Sequence, residues 1–521
     1  MNLAAAFFIE EDLSRTTNFR NMTTYETLIK HLKELHVLGS IGGIIGWDQE
    51  TMMPPRGGEL RAEQLAMLSS MCHERFTSNE IGDLLEALKA ADESGELTEE
   101  QAVNVRETRR SYERDKKLPT DLVEELARTR SLAQQKWAEA RKESDFKKFQ
   151  PLLEKTVDLK KQVAELYGYE DDIYDALLDT YEPGMTVAQL DPMFAELRER
   201  TVKLVEAIVG TGTTSEVDAL KRPHPLARQE SFEREIAEAF GFDFDAGRLD
   251  LSAHPFCGGN APNDVRMTTR RDENDPLSSL YSVMHETGHG LYGQGLEAKH
   301  SGTPMGSSIS LGIHESQSRT WENLVGRSRQ FWEFALPRFK AHFEGISEDL
   351  EFDEVCFAAN EVKPSLIRVE ADEVTYNLHI ILRFEIERDL MNGRVEVKEL
   401  PEIWNTRMQD YLGLTPPNDA LGVMQDIHWS MGGIGYFPTY TLGNLYGAQF
   451  FEAVREALPD LDNQIVRGEF VPLREWLRKN IHCHGKRFSA TDLIERVTGK
   501  PPSSEAFLNY METKFGALYD L

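Results

Sequence analysis

His285-Glu286-Thr287-Gly288-His289 combines the residue types of zinc hydrolysis at a usable spacing. Two histidines four apart leave one face of a helix, one turn and roughly 6 Å from each other along the axis. Imidazoles so placed can share one metal ion. Glu286 follows the first and can reach a metal-activated water without being a ligand. Hydrolysis of this kind needs neutral nitrogen ligands, an open coordination position and a base beside the water. The pattern H-E-x-x-H is short enough to arise by chance, so its setting matters. The segment Leu280–Leu291 is mostly apolar or small around the charged trio, which suits a buried helix. A surface helix carrying the trio by accident would hold more Lys and Glu. Asp275 and Pro276 suit a helix start, and Gly290, Gly293 and Gly295 are expected to end the helix or bend the chain.

A site of this kind needs a third protein ligand. Ile309–Leu324 reads as a second helix and offers His314, Glu315 and Glu322. Glu315 lies 26 residues beyond His289, which leaves room for a loop and a return. Glu315 and Glu322 are two turns apart and can share a face. Glu297 is a poorer candidate, since it falls in the Gly-rich turn after the first helix. Glu315 is the preferred ligand, with Glu322 either steadying a ligand or simply solvated. A ligating histidine usually donates its other N–H to a carboxylate or carbonyl. Asp372 and Asp426 are candidate acceptors.

The elements that must position these residues are mostly helical. Tyr25–Leu38 has apolar residues at helical period, with a stop expected at Gly39. Further helices are predicted near 58–75, 98–116, 121–142, 150–166, 187–209 and 229–240. Their charges are read as solvated faces. The segment Trp47–Pro55 breaks the pattern, and its paired prolines end any helix there. Strand alternation appears at Arg248–Phe256 and Asp264–Arg270, separated by Cys-Gly-Gly-Asn-Ala-Pro-Asn, which predicts a small hairpin-like sheet beside the metal helix. Gly210–Ser215 reads as a loop within one large unit, between a helical part at about 22–209 and a motif-bearing part at about 229–521. Residues 1–21 are expected to be a disordered extension.

Six segments in order resemble the carboxypeptidase Taq family of metallocarboxypeptidases: His254-Pro-Phe256, Asp264-Val-Arg266-Met-Thr268, His285-Glu-Thr-Gly-His289, His314-Glu-Ser-Gln317, Ile367-Arg368-Val-Glu-Ala-Asp372 and Gly422-Val-Met-Gln-Asp426-Ile-His428-Trp429. The resemblance covers nearly everything from Met22 onward. It implies His285, His289 and Glu315 as metal ligands and Glu286 as catalytic base. It also implies removal of single residues from peptide C-termini with broad specificity. The fold implied is mainly α: a large saddle-shaped subunit with a deep groove, a small β-sheet near the metal and a gluzincin-like site. Homodimers are expected, with one divalent metal per subunit, zinc first and cobalt or manganese as alternatives.

An exopeptidase must recognise a free carboxylate, and an arginine fork binds one in bidentate fashion. Arg368 is the first candidate, set against an internal ion pair with Asp372 at i+4. Arg266 is the second, set against a staple to Asp264. The tetrahedral intermediate needs a donor besides the metal. Tyr440 is preferred over Tyr436 in the Gly-rich segment Gly432–Gly443, the alternative being that both rings pack the groove wall. His428 is a further donor candidate, and His254 a donor or an orienting group. His482-Cys483-His484 has no carboxylate nearby and is read as a surface element. Cys257 follows the His254-Pro-Phe256 segment; a buried free thiol is the preferred reading, set against a place near the site.

A net charge of −30 argues against nucleic-acid and anionic membrane partners. No apolar run reaches the length of a membrane span. Four cysteines in 521 residues make no disulfide framework. A cytoplasmic protein is expected. Two other functions remain open at this level. An oligopeptide metalloendopeptidase would share the ligand plan. A non-catalytic zinc-bound peptide-binding protein would not need Glu286.

Overall fold

The computed structural model describes residues 23–215 and 217–521, so the reading of residues 1–21 lies outside the described residues. Helices dominate where the periodicity predicts them: Gly58–Phe76, Glu99–Lys117, Thr120–Glu143, Phe146–Tyr167, Val187–Thr211 and Leu226–Phe240. The first helix, Thr24–Thr51, opens with a reciprocal cap between Thr23 and Glu26. It does not stop at Gly39. It runs on to Thr51, ahead of Pro54 and Pro55. Gly43 shows what one glycine in this run is for. A β-carbon there would lie 2.5 Å from Asn260 Oδ1, so the missing side chain lets the helix approach a neighbouring strand.

Two apolar clusters hold the helices. A small one joins Leu28 and Leu32 to Ile81, Leu85, Leu88 and Val105. The large one is continuous from Leu122 to Tyr519 and surrounds the motif-bearing helices.

The sheet has three strands, β1 (Gly247–Leu251), β2 (Cys257–Ala261) and β3 (Asp264–Thr269), in the order β1-β3-β2. This corrects the expected hairpin. The two alternating runs, β1 and β3, pair in parallel, with Leu249 opposite Met267. The hairpin is instead β2 with β3, and β2 is the Gly-rich stretch read as a connection. Gly258 and Gly259 supply no apolar alternation, and main-chain pairing to β3 makes the strand.

The sheet lies on the helix Pro276–Gly295, which carries His285 and His289. Gly290 and Gly293 do not end this helix; they let the sheet sit close. A β-carbon on Gly290 would come within 2.7 Å of the Phe242 ring and 3.4 Å of Met267 Sδ, and one on Gly293 within 3.2 Å of Val265 Cγ2.

Candidate metal centre and the groups around it

Pro276–Gly295 starts as its sequence predicts. Asp275 accepts the Ser278 N–H at 3.1 Å, and Pro276 takes the first position. Against it packs Leu311–Arg319, the helix bearing His314 and Glu315. The approach is main chain to main chain. A β-carbon on Gly288 would meet the Gln317 carbonyl oxygen at 2.5 Å and Ser318 Cα at 2.6 Å. On the other side, Gly443 and Gly447 of the helix Pro438–Ala457 receive Glu315 and the Ser316 carbonyl. Gly288→Ala gains about 1 kcal/mol in helix propensity. It must also displace backbone atoms, which costs about 1–3 kcal/mol or more. We expect a net loss in denaturant midpoint and weaker metal retention. An unchanged midpoint would refute the tight-contact reading.

The N-terminus of Leu311–Arg319 is held by a residue with no sequence signal, the fully buried Glu182. Its carboxylate accepts from Ser310 Oγ and Gly312 N, both at 2.9 Å. Burial pushes its pKa up to about 7, against the donors from Gly312, Ser310 and Tyr446. A raised folded pKa means that the protonated form is the one the fold favours. The contribution is therefore whole below the ordinary value of 4.5 and is lost as pH rises through about 7. It amounts to something on the order of 3 kcal/mol. Glu182→Gln should flatten that part of the stability–pH curve in urea titrations. An unchanged slope would count against the assignment.

The three side chains converge. The potential ligand atoms of His285, His289 and Glu315 all lie within 4.8 Å of one another. Glu315 Oε2 is 3.6 Å from His285 Nε2 and 3.5 Å from His289 Nε2. The opposite ring nitrogens fix the tautomers. His289 Nδ1 donates to the His314 carbonyl at 3.1 Å, and His285 Nδ1 donates to Glu322 Oε2 at 2.8 Å. A carbonyl can only accept, so the His289 proton resides on Nδ1 and its Nε2 lone pair is free. Two imidazole nitrogens and one carboxylate oxygen, bare and mutually within reach, fit a divalent cation of the zinc class.

The partner of His285 is thus Glu322, and that of His289 is a carbonyl. Asp372 and Asp426 serve elsewhere. Asp372 accepts the Val374 and Thr375 N–H groups at 2.9 and 3.0 Å. Glu322 sits in a π-helical turn, Thr320–Val325, of the kind that often marks functional sites. Arg319, a residue not singled out from the sequence, bridges both carboxylates. Its Nε is 2.7 Å from Glu315 Oε1 and its Nη1 is 3.0 Å from Glu322 Oε2. Its guanidinium also stacks 4.5 Å from the centre of the Tyr376 ring. Burial alone would favour neutral carboxyls. The Arg319 charge outweighs it and holds Glu315 well below the usual carboxylate range, and Glu322 at about 2. Burial likewise opposes a charge on His285, but Glu315 and then Glu322 carry its pKa up to about 9. A proton therefore competes with a cation for this cluster.

Glu286 is 6% exposed and projects beside the cluster. Burial raises its pKa above the ordinary value, and the two histidines temper the rise. A raised carboxylate is suited to proton transfer. Cys257, the first residue of β2, is free and lies near it: burial, then the Glu286 charge, pushes its thiol pKa up.

A second buried cluster adjoins the first. Asp426 binds Arg368 and Arg383 together, through Arg368 Nη2 at 2.8 Å and Arg383 Nη2 at 2.6 Å. The i+4 pair of Arg368 with Asp372 does not form. Two arginines on one aspartate leave one net positive charge. Arg368 Nη1 donates to Tyr376 OH at 3.1 Å, so Tyr376 joins the arginine cluster to Arg319. Tyr440 and Tyr436 form part of the same wall, their ring centres 5.3 Å apart. Tyr440 OH is 3.3 Å from His428 Nε2. Burial lowers His428 to about 4, so the ring is neutral near pH 7. Burial also keeps the Tyr440 phenol protonated and able to donate.

Other candidates stand apart. Arg266 is engaged by Asp264 at 2.7 Å and lies 5.6 Å over the Trp47 ring. His254 is exposed, in the link between β1 and β2. His482 is not a surface residue. It is fully buried and 2.8 Å from Gln317 Oε1, against Gly295. Among the groups without a sequence signal, Arg319 and Tyr376 lay at helical offsets from candidates, while Glu182 and Arg383 are brought in only by tertiary packing.

Known proteins share this arrangement of chain. The sequence profile described as Carboxypeptidase Taq (M32) metallopeptidase matches residues 27–515. Thermostable carboxypeptidase 1 of Thermus thermophilus is 46% identical over 507 residues, covering 95% of this chain and 99% of that protein. Carboxypeptidase 1 of Bacillus subtilis is 39% identical over 491 residues, covering 94% and 97%. Among solved structures, an M32 carboxypeptidase from Deinococcus radiodurans superposes with a TM-score of 0.94 at 40% identity, covering 96% of this chain and 100% of that one.

Proposed function

The chain belongs to the carboxypeptidase Taq (M32) family of metallopeptidases and is a metallocarboxypeptidase, and from this we propose that it removes single amino acids from peptide C-termini with broad specificity. The observation that carries the reading is the convergence of His285 Nε2 and His289 Nε2 on one Glu315 oxygen, with Glu286 buried alongside. In this reading His285, His289 and Glu315 hold one divalent metal, with zinc preferred for the donor set and cobalt or manganese as alternatives. When bound, the metal supplies Lewis acidity toward the scissile carbonyl and the attacking water. Glu286 accepts the water's proton and returns it to the leaving amine. Tyr440 donates its phenolic proton to the developing oxyanion, while a neutral His428 with its proton on Nε2 donates to the Tyr440 oxygen and frees that phenol. Tyr436 lines the wall beside them. Arg368 receives the terminal carboxylate, supported by the one uncompensated positive charge that it and Arg383 leave over Asp426. Arg266 and His254 are retained as outer contacts to the peptide.

We read residues 22–521 as one catalytic unit, expected to be a cytoplasmic homodimer acting on peptides. Four free cysteines suit a reducing compartment. Among the described residues no helix is long and apolar enough to cross a membrane.

One peptide offered with a free and with an amidated C-terminus tests the proposal. Sequential loss of single C-terminal residues from the free acid alone is the expected mass-spectrometric pattern. Internal cleavage of both forms would instead make the protein an oligopeptide endopeptidase. Arg368→Ala should cost about 2–5 kcal/mol in kcat/KM on the free acid, the usual price of unpairing a buried charge. Its preference for free acid over amide should shrink. A variant that keeps the full preference would make Arg368 structural and move attention to Arg266.

A further inference from the structure

Beyond the catalytic wall, on the outer side of the segment leading to Tyr436, lies a cavity of about 270 Å³. Its lining includes Thr129, Arg130, Lys160, Met431 and Gly432. Three of these groups lack partners. Neither the Lys160 ammonium nor the Arg130 guanidinium makes a hydrogen bond or ion pair among the described residues. Thr129 is 2% exposed, and its hydroxyl has no partner among the described residues. An unsatisfied buried hydroxyl costs about 1–3 kcal/mol. The Lys160 ammonium, partly buried in the recess, is also without an ion pair there. The Glu387 carboxylate acts on Lys160 only at a distance and makes no ion pair with it. It is spent on Tyr174 OH at 2.7 Å, Trp429 Nε1 at 2.9 Å and Gly435 N at 3.0 Å. Burial, and then the Arg130 charge, lowers the Lys160 pKa, and the Glu387 charge only partly opposes them.

We propose that this cavity is a binding site for a small dianionic oxyanion, inorganic phosphate or a phosphate monoester, held by Lys160 and Arg130. Two cations lining one recess match an acceptor with several charged oxygens. The attraction is local, since the chain as a whole carries −30 and repels anions at long range. The bound anion would bear on the catalytic loop. Gly432, at φ +72°, packs on the Lys160 stem, with its would-be β-carbon 3.0 Å from Lys160 Cε. Glu387 grips the inner side of the same loop through Trp429 and Gly435. An anion on the outer side completes the clamp on the segment that carries His428 and runs into Tyr436 and Tyr440.

Equilibrium dialysis of the metal-loaded enzyme against radiolabelled phosphate, at ionic strength fixed with chloride, tests this. The expected result is saturable millimolar-range binding that weakens at least about tenfold in Lys160→Gln and in Arg130→Gln, each removing one charge-assisted contact. Arg130 is exposed, so its variant reports even if the Lys160 change disturbs folding. Phosphate held at the metal cluster would be indifferent to both substitutions. Binding that both variants retain in full, or no saturable binding, overturns the proposal. Glycerol phosphate as competitor separates the sources: displacement tighter than by inorganic phosphate assigns a monoester, and weaker displacement assigns free phosphate. In the wild type alone, phosphate should also slow amide exchange across Trp429–Gly435.

Discussion

Glu286→Gln should keep its metal and lose about 10²–10⁴-fold in kcat, the usual contribution of a positioned general base. The amide has the shape of the carboxylate but cannot take the water's proton. Glu286 is not among the converging ligand atoms, so nothing that holds a cation is removed. Plasma spectrometry and peptide turnover on the same preparation separate the two effects. Near-normal turnover would take Glu286 out of the mechanism. Loss of metal together with activity would make it a ligand.

Glu315→Ala is expected to strip the site. It removes the oxygen on which both imidazoles converge and leaves Arg319 Nε without its acceptor at 2.7 Å. Dialysed protein should be nearly metal-free and inactive. Glu322→Ala should be milder, weakening metal affinity by about 10–100-fold, as changes to a group orienting a ligand usually do. His285 would then keep its place on the helix but lose the acceptor that directs Nδ1. If Glu322→Ala empties the site and Glu315→Ala retains metal, the two roles are exchanged.

How far these sites were legible depends on where the information lies. The pair His285 and His289, and Glu315 after a loop, follow from helical spacing and were open to reading. Glu322 was equally readable as sharing a face with Glu315. Its task was not, because the acceptor for His285 is set by the packing of two helices. Arg368 seeks Asp426, 58 positions away, rather than Asp372 on its own segment. Local spacing cannot anticipate such a choice. Glycine misled most. The sequence suggests a stop at Gly39, a stop or bend at Gly290 and Gly293, and a connection at Gly258-Gly259, yet these residues lie inside helices and a strand. A glycine that breaks a helix and one that admits a neighbour look alike until the neighbour is known.

The glycine contacts on both sides of Leu311–Arg319 bear on ion choice. Gly288 sets the distance between the histidine-bearing and glutamate-bearing backbones by direct touch, and Gly443 on the far side leaves room for the Glu315 side chain. A cage hung on main chains in contact has little elasticity, because no side chain at the Gly288 contact can repack. Zinc–nitrogen bonds run to about 2.0–2.1 Å, while calcium takes oxygen at about 2.3–2.6 Å and asks for more ligands. Accommodating the larger ion would mean prying two backbones apart. Enlarging Gly288, a residue that carries no donor atom, is therefore expected to retune the cage without altering any of the proposed ligands.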